Sequence, residues 1–342
     1  MLVGLVMVFV QVVVGGITRL TESGLSITKW EVVSGTLPPL TDEAWLKEFE
    51  LYKKTPQYQQ INEGMVMSDF KFIFFWEYIH RFWARIMGFV FLFPFLYFLK
   101  KKLLDGDLLN KLGVVILLAV LAASFGWIMV ASGLIERPWV NAYKLSLHLL
   151  IAFSVYVALL WAFLSTLSIN DEGFVPVYGL RKMTYWFLGL MLLQIFFGGI
   201  LSGMKAAVVY PTWPDMNGVY FPALIFDIKE WNFENFNNYD RNIFMPTLIH
   251  FLHRTTAYIL FVVGILVSYR LYLSSRLGRD KSIRVIPYLV VSLLFMQVVF
   301  GIITVIKSAG SIPVLWGVLH QVGALLLLTS IVFSLFVQRI KK

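Results

Sequence analysis

The chain has 342 residues, of which 58% are hydrophobic and only 14% charged, with a mean hydropathy of +0.75. An ordinary soluble domain is about 45–50% apolar and about 25% charged, so the solvent of this chain is lipid. It has no cysteine, which excludes disulfides, thiolate ligation of a metal and iron–sulfur clusters; its net charge of +9 lies in short loops between apolar runs, where it reads as a topology signal and not as a nucleic-acid surface.

The first run is apolar from its first residue, with no basic region before it and no small-residue cleavage site. No cleavable signal peptide is read there, and its brevity reads as a truncated first helix. Apolar runs long enough to cross a bilayer fall at about 1–18, 72–99, 112–134, 144–168, 183–205, 247–273, 285–308 and 314–338. The expected fold is therefore all-α integral membrane, with eight transmembrane helices. With eight spans, Lys100, Lys101, Lys102 and Lys111, then Arg181 and Lys182, then Arg276, Arg279, Lys281 and Arg284, and finally Arg339, Lys341 and Lys342 share one face. The Lys/Arg excess makes that face cytoplasmic and puts both termini inside. The opposite segments, 19–71 and 206–246, are long and mixed in charge. Their Trp, Tyr and Pro content predicts ordered caps over the helices.

An internal repeat runs through these spans. Gln11, Gly15 and Gly16 of the first helix recur as Gln194, Gly198 and Gly199 of the fifth. His80-Arg81 recurs as His253-Arg254, and His148 as His320. Gln297 and Gly301 repeat the Gln-x-x-x-Gly spacing in the seventh helix, whereas the third keeps Gly126 but has Ala122 where the glutamine would fall. The chain thus reads as two parallel, pseudo-symmetric four-helix bundles, 1–168 and 183–338, related by an axis along the membrane normal.

Embedded polar groups are costly and functional by default. His80, His148, His253 and His320 lie roughly 7–12 Å inside the outer ends of their helices at 1.5 Å per residue. Two facing histidines in each half suit axial ligation of haem iron. Interhelical hydrogen bonding by histidine is the plain alternative; Gly15-Gly16 and Gly198-Gly199 allow close approach of helices or of backbone to a flat ligand, with ordinary helix packing favoured. Arg81 and Arg254 could each pair with a haem propionate or snorkel to the interface. The halves differ one turn from the shared histidine, where Glu77 corresponds to His250. A buried carboxylate beside a haem edge could handle protons or stabilise positive charge, which assigns the reacting site to the first half and an electron-transfer haem to the second. The alternative for Glu77 is a salt bridge to a nearby arginine. On the residues alone, a di-haem b-type cytochrome passing electrons from quinol and a transporter with parallel repeats remain open.

Several stretches resemble the haem A synthase family along essentially the whole chain. They are Gly15-Gly-Ile-Thr-Arg-Leu-Thr-Glu-Ser-Gly-Leu-Ser26, Trp76-Glu-Tyr-Ile-His-Arg81, Gly126-Trp-Ile-Met-Val-Ala-Ser-Gly133, Tyr210-Pro-Thr-Trp-Pro-Asp-Met-Asn-Gly218 and His253-Arg254. The resemblance implies an oxidoreductase that converts a methyl group of haem O to a formyl group, giving haem A for terminal oxidases. It implies haem O as substrate near Glu77, His80 and His148, and a haem b cofactor between His253 and His320. It also implies a bacterial inner-membrane setting with haem sites toward the outer face. Expected partners are a haem O synthase, terminal oxidase assembly factors, lipid and a second copy of the chain. Two departures stand out. The cysteine pair of some family members is missing, and so is the glutamine that many carry at the position of Ala122.

Overall fold

The structure, a computed structural model, describes residues 1–28, 37–134, 137–167, 177–278 and 282–339. Arg279, Lys281, Lys341 and Lys342, and most of the loop expected at 169–182, lie outside the described residues. Eight described helices are long and apolar enough to cross a membrane. In chain order they are α1 (Leu2–Leu20), α2 (Met67–Lys100), α3 (Gly106–Gly133), α4 (Ala142–Ser165), α5 (Leu180–Gly203), α6 (Phe244–Leu277), α7 (Ile286–Ile306) and α8 (Val314–Val337). Among the described residues there is no β-strand, only a bridge between Met216 and Val219. This is a multi-pass all-α membrane protein.

The helices start where the sequence supplies caps. The side chain of Asp105 accepts from the Leu108 amide at 2.7 Å at the head of α3, and that of Asn141 accepts from Tyr143 at 3.0 Å at the head of α4. Both α2 and α6 run for 34 residues, about 51 Å, against a hydrocarbon thickness of about 30 Å. Each therefore begins several residues before its apolar run, and the extra turns stand beside the caps. On α2, Phe89, Phe93 and Tyr97 are more than half exposed, as lipid-facing side chains are.

The chain packs as two compact units, Met1–Val155 and Tyr156–Lys342, which divide inside α4. In the first, α1 packs along α2 and α3 meets α4 where Gly126 faces His148. Between α1 and α2, the described residues form short helices over Asp42–Tyr52 and Pro56–Gln60. Phe49 and Tyr52 bury themselves there against Phe70, Ile73 and Phe74 of α2. The second unit is a closed bundle: α5 packs on α6, α6 on α7, α7 on α8, and α8 returns to α5. The last part of α4 belongs to this unit, where the Tyr156 hydroxyl lies 3.0 Å from that of Thr329 and Trp161 meets Phe336 edge-on. The segment after α5 is ordered as well, through short helical turns over Ala206–Val209, Ala223–Phe226 and Phe233–Asn237.

Candidate functional site

Each unit brings its two helix histidines against glycines of the preceding helices. In the first unit His80 of α2 lies on Gly15 of α1; a β-carbon built there would sit 2.9 Å from its Cε1. His148 of α4 lies on Gly126 of α3, with the corresponding separation 3.1 Å. In the second unit His253 of α6 lies on Gly198 of α5 at 3.2 Å, and His320 of α8 on Gly301 of α7 at 3.0 Å. Carbon atoms at rest stand about 3.5–4.0 Å apart, so a β-carbon at any of these four points would make the ring give way by a few tenths of an ångström.

The residue one turn before each glycine meets the same ring. His148 Nδ1 donates to the Ala122 carbonyl at 3.0 Å, and His320 Nδ1 to the Gln297 carbonyl at 3.1 Å. A proton pinned on Nδ1 leaves the Nε2 lone pair for a metal. The side-chain amide nitrogens of Gln194 and Gln297 lie 3.1 and 3.4 Å from Nε2 of His253 and His320. The Gln11 amide lies 3.2 Å from His80 Nδ1 and donates to the His80 carbonyl at 3.2 Å. The contact to His148 is made by main chain, so a glutamine at position 122 is not needed for it.

In the second unit the rings of His253 and His320 face one another with centres 6.5 Å apart and planes at 72°. An imidazole nitrogen binds a transition metal at about 2.0–2.1 Å, and two rings on opposite sides of one ion have centres about 6–6.5 Å apart. The pair therefore fits one iron between them. In the first unit, His80 and His148 are within electrostatic range of each other. Among the described residues no group of three or more His, Cys, Asp or Glu side chains could hold a metal ion. A metal held by two histidines must bring its other ligands with it, as a porphyrin-bound iron does.

Glu77 is buried one turn from His80. Its Oε2 accepts from the Ser26 amide at 2.7 Å, the Ser26 hydroxyl at 2.7 Å and the Ile27 amide at 2.8 Å. Its Oε1 pairs with Arg81 Nη2, one turn further along α2. The two carboxyl oxygens have the lone pairs to accept that many donors. Arg81 also donates to the Ile27 carbonyl at 3.4 Å. The second unit uses the same two positions differently. Arg254 Nε donates to His250 Nε2 at 3.0 Å, while its Nη1 and Nη2 reach the carbonyls of Pro214, Asp215, Tyr210 and Thr212. Both arginines thus clamp the chain that leaves the preceding helix. Outside the spans, the Gly218 amide and the Thr212 hydroxyl hold the Asp215 carboxyl below its usual range.

A family model described as cytochrome oxidase assembly protein matches residues 1–332 of the chain. The chain belongs to that family. Curated proteins named heme A synthase are similar to it along nearly their whole length. That of Nitrosospira multiformis is 38% identical over 327 residues, 95% of this chain and 88% of its own. Those of Flavobacterium psychrophilum and Flavobacterium johnsoniae are 38% and 39% identical, each over 98% of this chain. In this cytochrome oxidase assembly family member, sequence reasoning singled out all four paired histidines and Glu77. It favours ordinary packing for Gly15 and Gly198, gives Gly126 and Gly301 no role, includes Ser26 only as the end of a motif, and does not single out Ile27. The signal for the glycines was in the spacing, one turn after Gln11, Ala122, Gln194 and Gln297. Nothing local marks Ser26, whose role depends on a contact 51 residues away.

Proposed function

We propose that this chain is a haem A synthase, which oxidises a methyl group of haem O to a formyl group. The observation that carries the reading is the facing pair of His253 and His320, with His80 and His148 lying on glycines in the same way and His80 alone having a carboxylate one turn away. Membership of the cytochrome oxidase assembly family and relatives named heme A synthase support it.

In this reading the halves 1–168 and 183–338 divide the labour. His80 and His148 hold the iron of the substrate haem O. His253 and His320 hold a haem b, which supplies one-electron transfer when bound. Written with water as the oxygen source, going from methyl to formyl releases four protons and four electrons, which an external electron acceptor must take up; positive charge would develop on the carbon beside the macrocycle as the electrons leave. Glu77 contributes a fixed negative charge there. Its lone pairs are engaged by Ser26, Ile27 and Arg81, which favours electrostatic stabilisation over proton abstraction. Arg81 is ion-paired with that carboxylate and is placed for a charge-assisted bond to a propionate. Arg254, whose five N–H donors all have protein acceptors, holds the 210–215 segment over the second site.

The setting proposed is the bacterial inner membrane, with both termini cytoplasmic and the haem sites toward the outer face. A haem O synthase supplies the substrate, and terminal oxidase assembly factors receive the product. The test is to extract and chromatograph the haems of purified protein made alongside a haem O synthase. One firmly bound haem b with substoichiometric haem O or haem A is expected. Two stable haems b and no haem A would make it an electron carrier, and a colourless protein would remove haem from the reading.

A further inference from the structure

We infer that Gly15, Gly126, Gly198 and Gly301 are positioning residues, each a seat that sets where its helix histidine presents Nε2. The inference rests on the haem-binding reading above. Its ground is that four separate helix crossings make the same contact. At each, the atom nearest a built β-carbon is Cε1 of the histidine ring, at 2.9, 3.1, 3.2 and 3.0 Å in chain order. Cε1 lies between the two ring nitrogens, so pressure there moves Nε2 directly. The helices are fixed along their length by packing, whereas the imidazole is the free end of a side chain. An added methyl would therefore displace the ring and leave the backbone where it is.

Other glycines of the same helices show that the seats are not incidental. Gly88, Gly113 and Gly189 lie on α2, α3 and α5 and have nothing within 4 Å of a built β-carbon. Gly264 of α6 is tight, but against Leu294 and Phe187. Close approach to a ring thus occurs at the glycines one turn beyond the residues that contact the histidines. Glycine and that preceding residue grip the imidazole together: one sets its height above the helix, the other its rotation. Where the partner is a main-chain carbonyl alone, as at Ala122, the side chain is free to vary and the glycine is not. The seats thereby set ligand strength and the angle between the two imidazole planes.

Purified full-length protein carrying Gly198→Ala or Gly301→Ala is compared with wild type, with Gly189→Ala and with Gly264→Ala. Haem b content, the low-spin absorption and electron paramagnetic resonance signals, the midpoint potential and thermal stability are measured together. The seat variants are expected to hold haem b about 10–100-fold less tightly, as is usual when a ligand's supporting contact is lost. The haem they keep should show a shifted potential and altered g-anisotropy. Gly264→Ala should lower stability without changing the spectrum, and Gly189→Ala should change neither. Alanine is the better helix former, so a loss at 198 or 301 does not come from helix propensity. Unchanged spectra and potentials in both seat variants would overturn the inference, as would spectral changes that track stability across all four. Should the seat variants fail to accumulate, Gly15→Ala and Gly126→Ala decide it by substrate-haem occupancy while the second-unit spectrum stays normal. A wild type without a bis-imidazole haem would overturn the functional reading, and this inference with it.

Discussion

Arg81 reaches back one turn along α2 to Glu77, and the pair fastens the chain leaving α1 at Ser26 and Ile27. Arg254 reaches back one turn along α6 to His250 and fastens the chain leaving α5 at Tyr210 to Asp215. The same clamp is therefore built once around a carboxylate and once around an imidazole. The charged version stands beside the site proposed to react. A clamp alone needs no negative charge, as His250 shows, so the proposed chemistry is assigned to the charge at Glu77.

Glu77→Gln is nearly isosteric and removes that charge. Haem A formation should fall by roughly 10²–10⁴, with haem O or a hydroxylated intermediate accumulating, while the second-unit haem b is retained. The substitution also reduces the buried ion pair with Arg81 to a neutral hydrogen bond, at a cost below the about 3–5 kcal/mol of breaking a buried pair outright. Haem chromatography and thermal unfolding on the same sample separate the two effects. Normal haem A levels would make Glu77 purely a clamp. Ser26→Ala, which removes one charge-assisted hydrogen bond at about 1.5–3 kcal/mol, should destabilise with a far smaller effect on haem A.

His253→Ala and His320→Ala should each abolish the low-spin spectrum of a tightly bound haem b, because six-coordinate iron needs both ligands. His80→Ala and His148→Ala should leave that spectrum intact and reduce bound substrate haem. Difference spectra of the reduced proteins report this directly. An unchanged haem b spectrum in His253→Ala would reverse the assignment of the halves.

Asp215 predicts an acid-sensitive turn. The Gly218 amide, the Thr212 hydroxyl and then Arg254 favour its charged form in the folded protein, so its folded pKa lies below the ordinary aspartate value of 3.8. A depressed carboxyl contributes stability that is fully present above the unfolded pKa and is lost as pH falls through the folded one. Thermal unfolding should therefore weaken below pH about 4 in the wild type, and less so in Asp215→Asn. Parallel acid limbs for the two proteins would show that this turn does not contribute.

Reporter fusions test the orientation. The loops at 100–111, 169–182 and 274–284 carry the Lys/Arg excess and should report from the cytoplasm, and 206–246 from the outside. A cytoplasmic signal from 206–246 would invert the topology and place the haem sites on the inner side.

All eight spans were legible in the sequence, because transfer into lipid depends on composition summed along a segment, whatever its neighbours are. The span predicted at 112–134 appears as Gly106–Gly133, displaced at its start by the Asp105 cap, and that at 314–338 as Val314–Val337. The starts at Met67 and Phe244 likewise fall ahead of the apolar runs of α2 and α6. Hydropathy ends at the membrane surface, but backbone hydrogen bonds continue for as long as the caps cover them. The histidines and the internal repeat were equally visible, since a polar residue in an apolar run is conspicuous by itself. Only the tertiary structure decided what those residues touch. It brought Ser26 to Glu77, the Ala122 carbonyl to His148, and four glycines under four rings. Such contacts join helices far apart in sequence and depend on clearances of a few tenths of an ångström, which residue type and spacing do not encode.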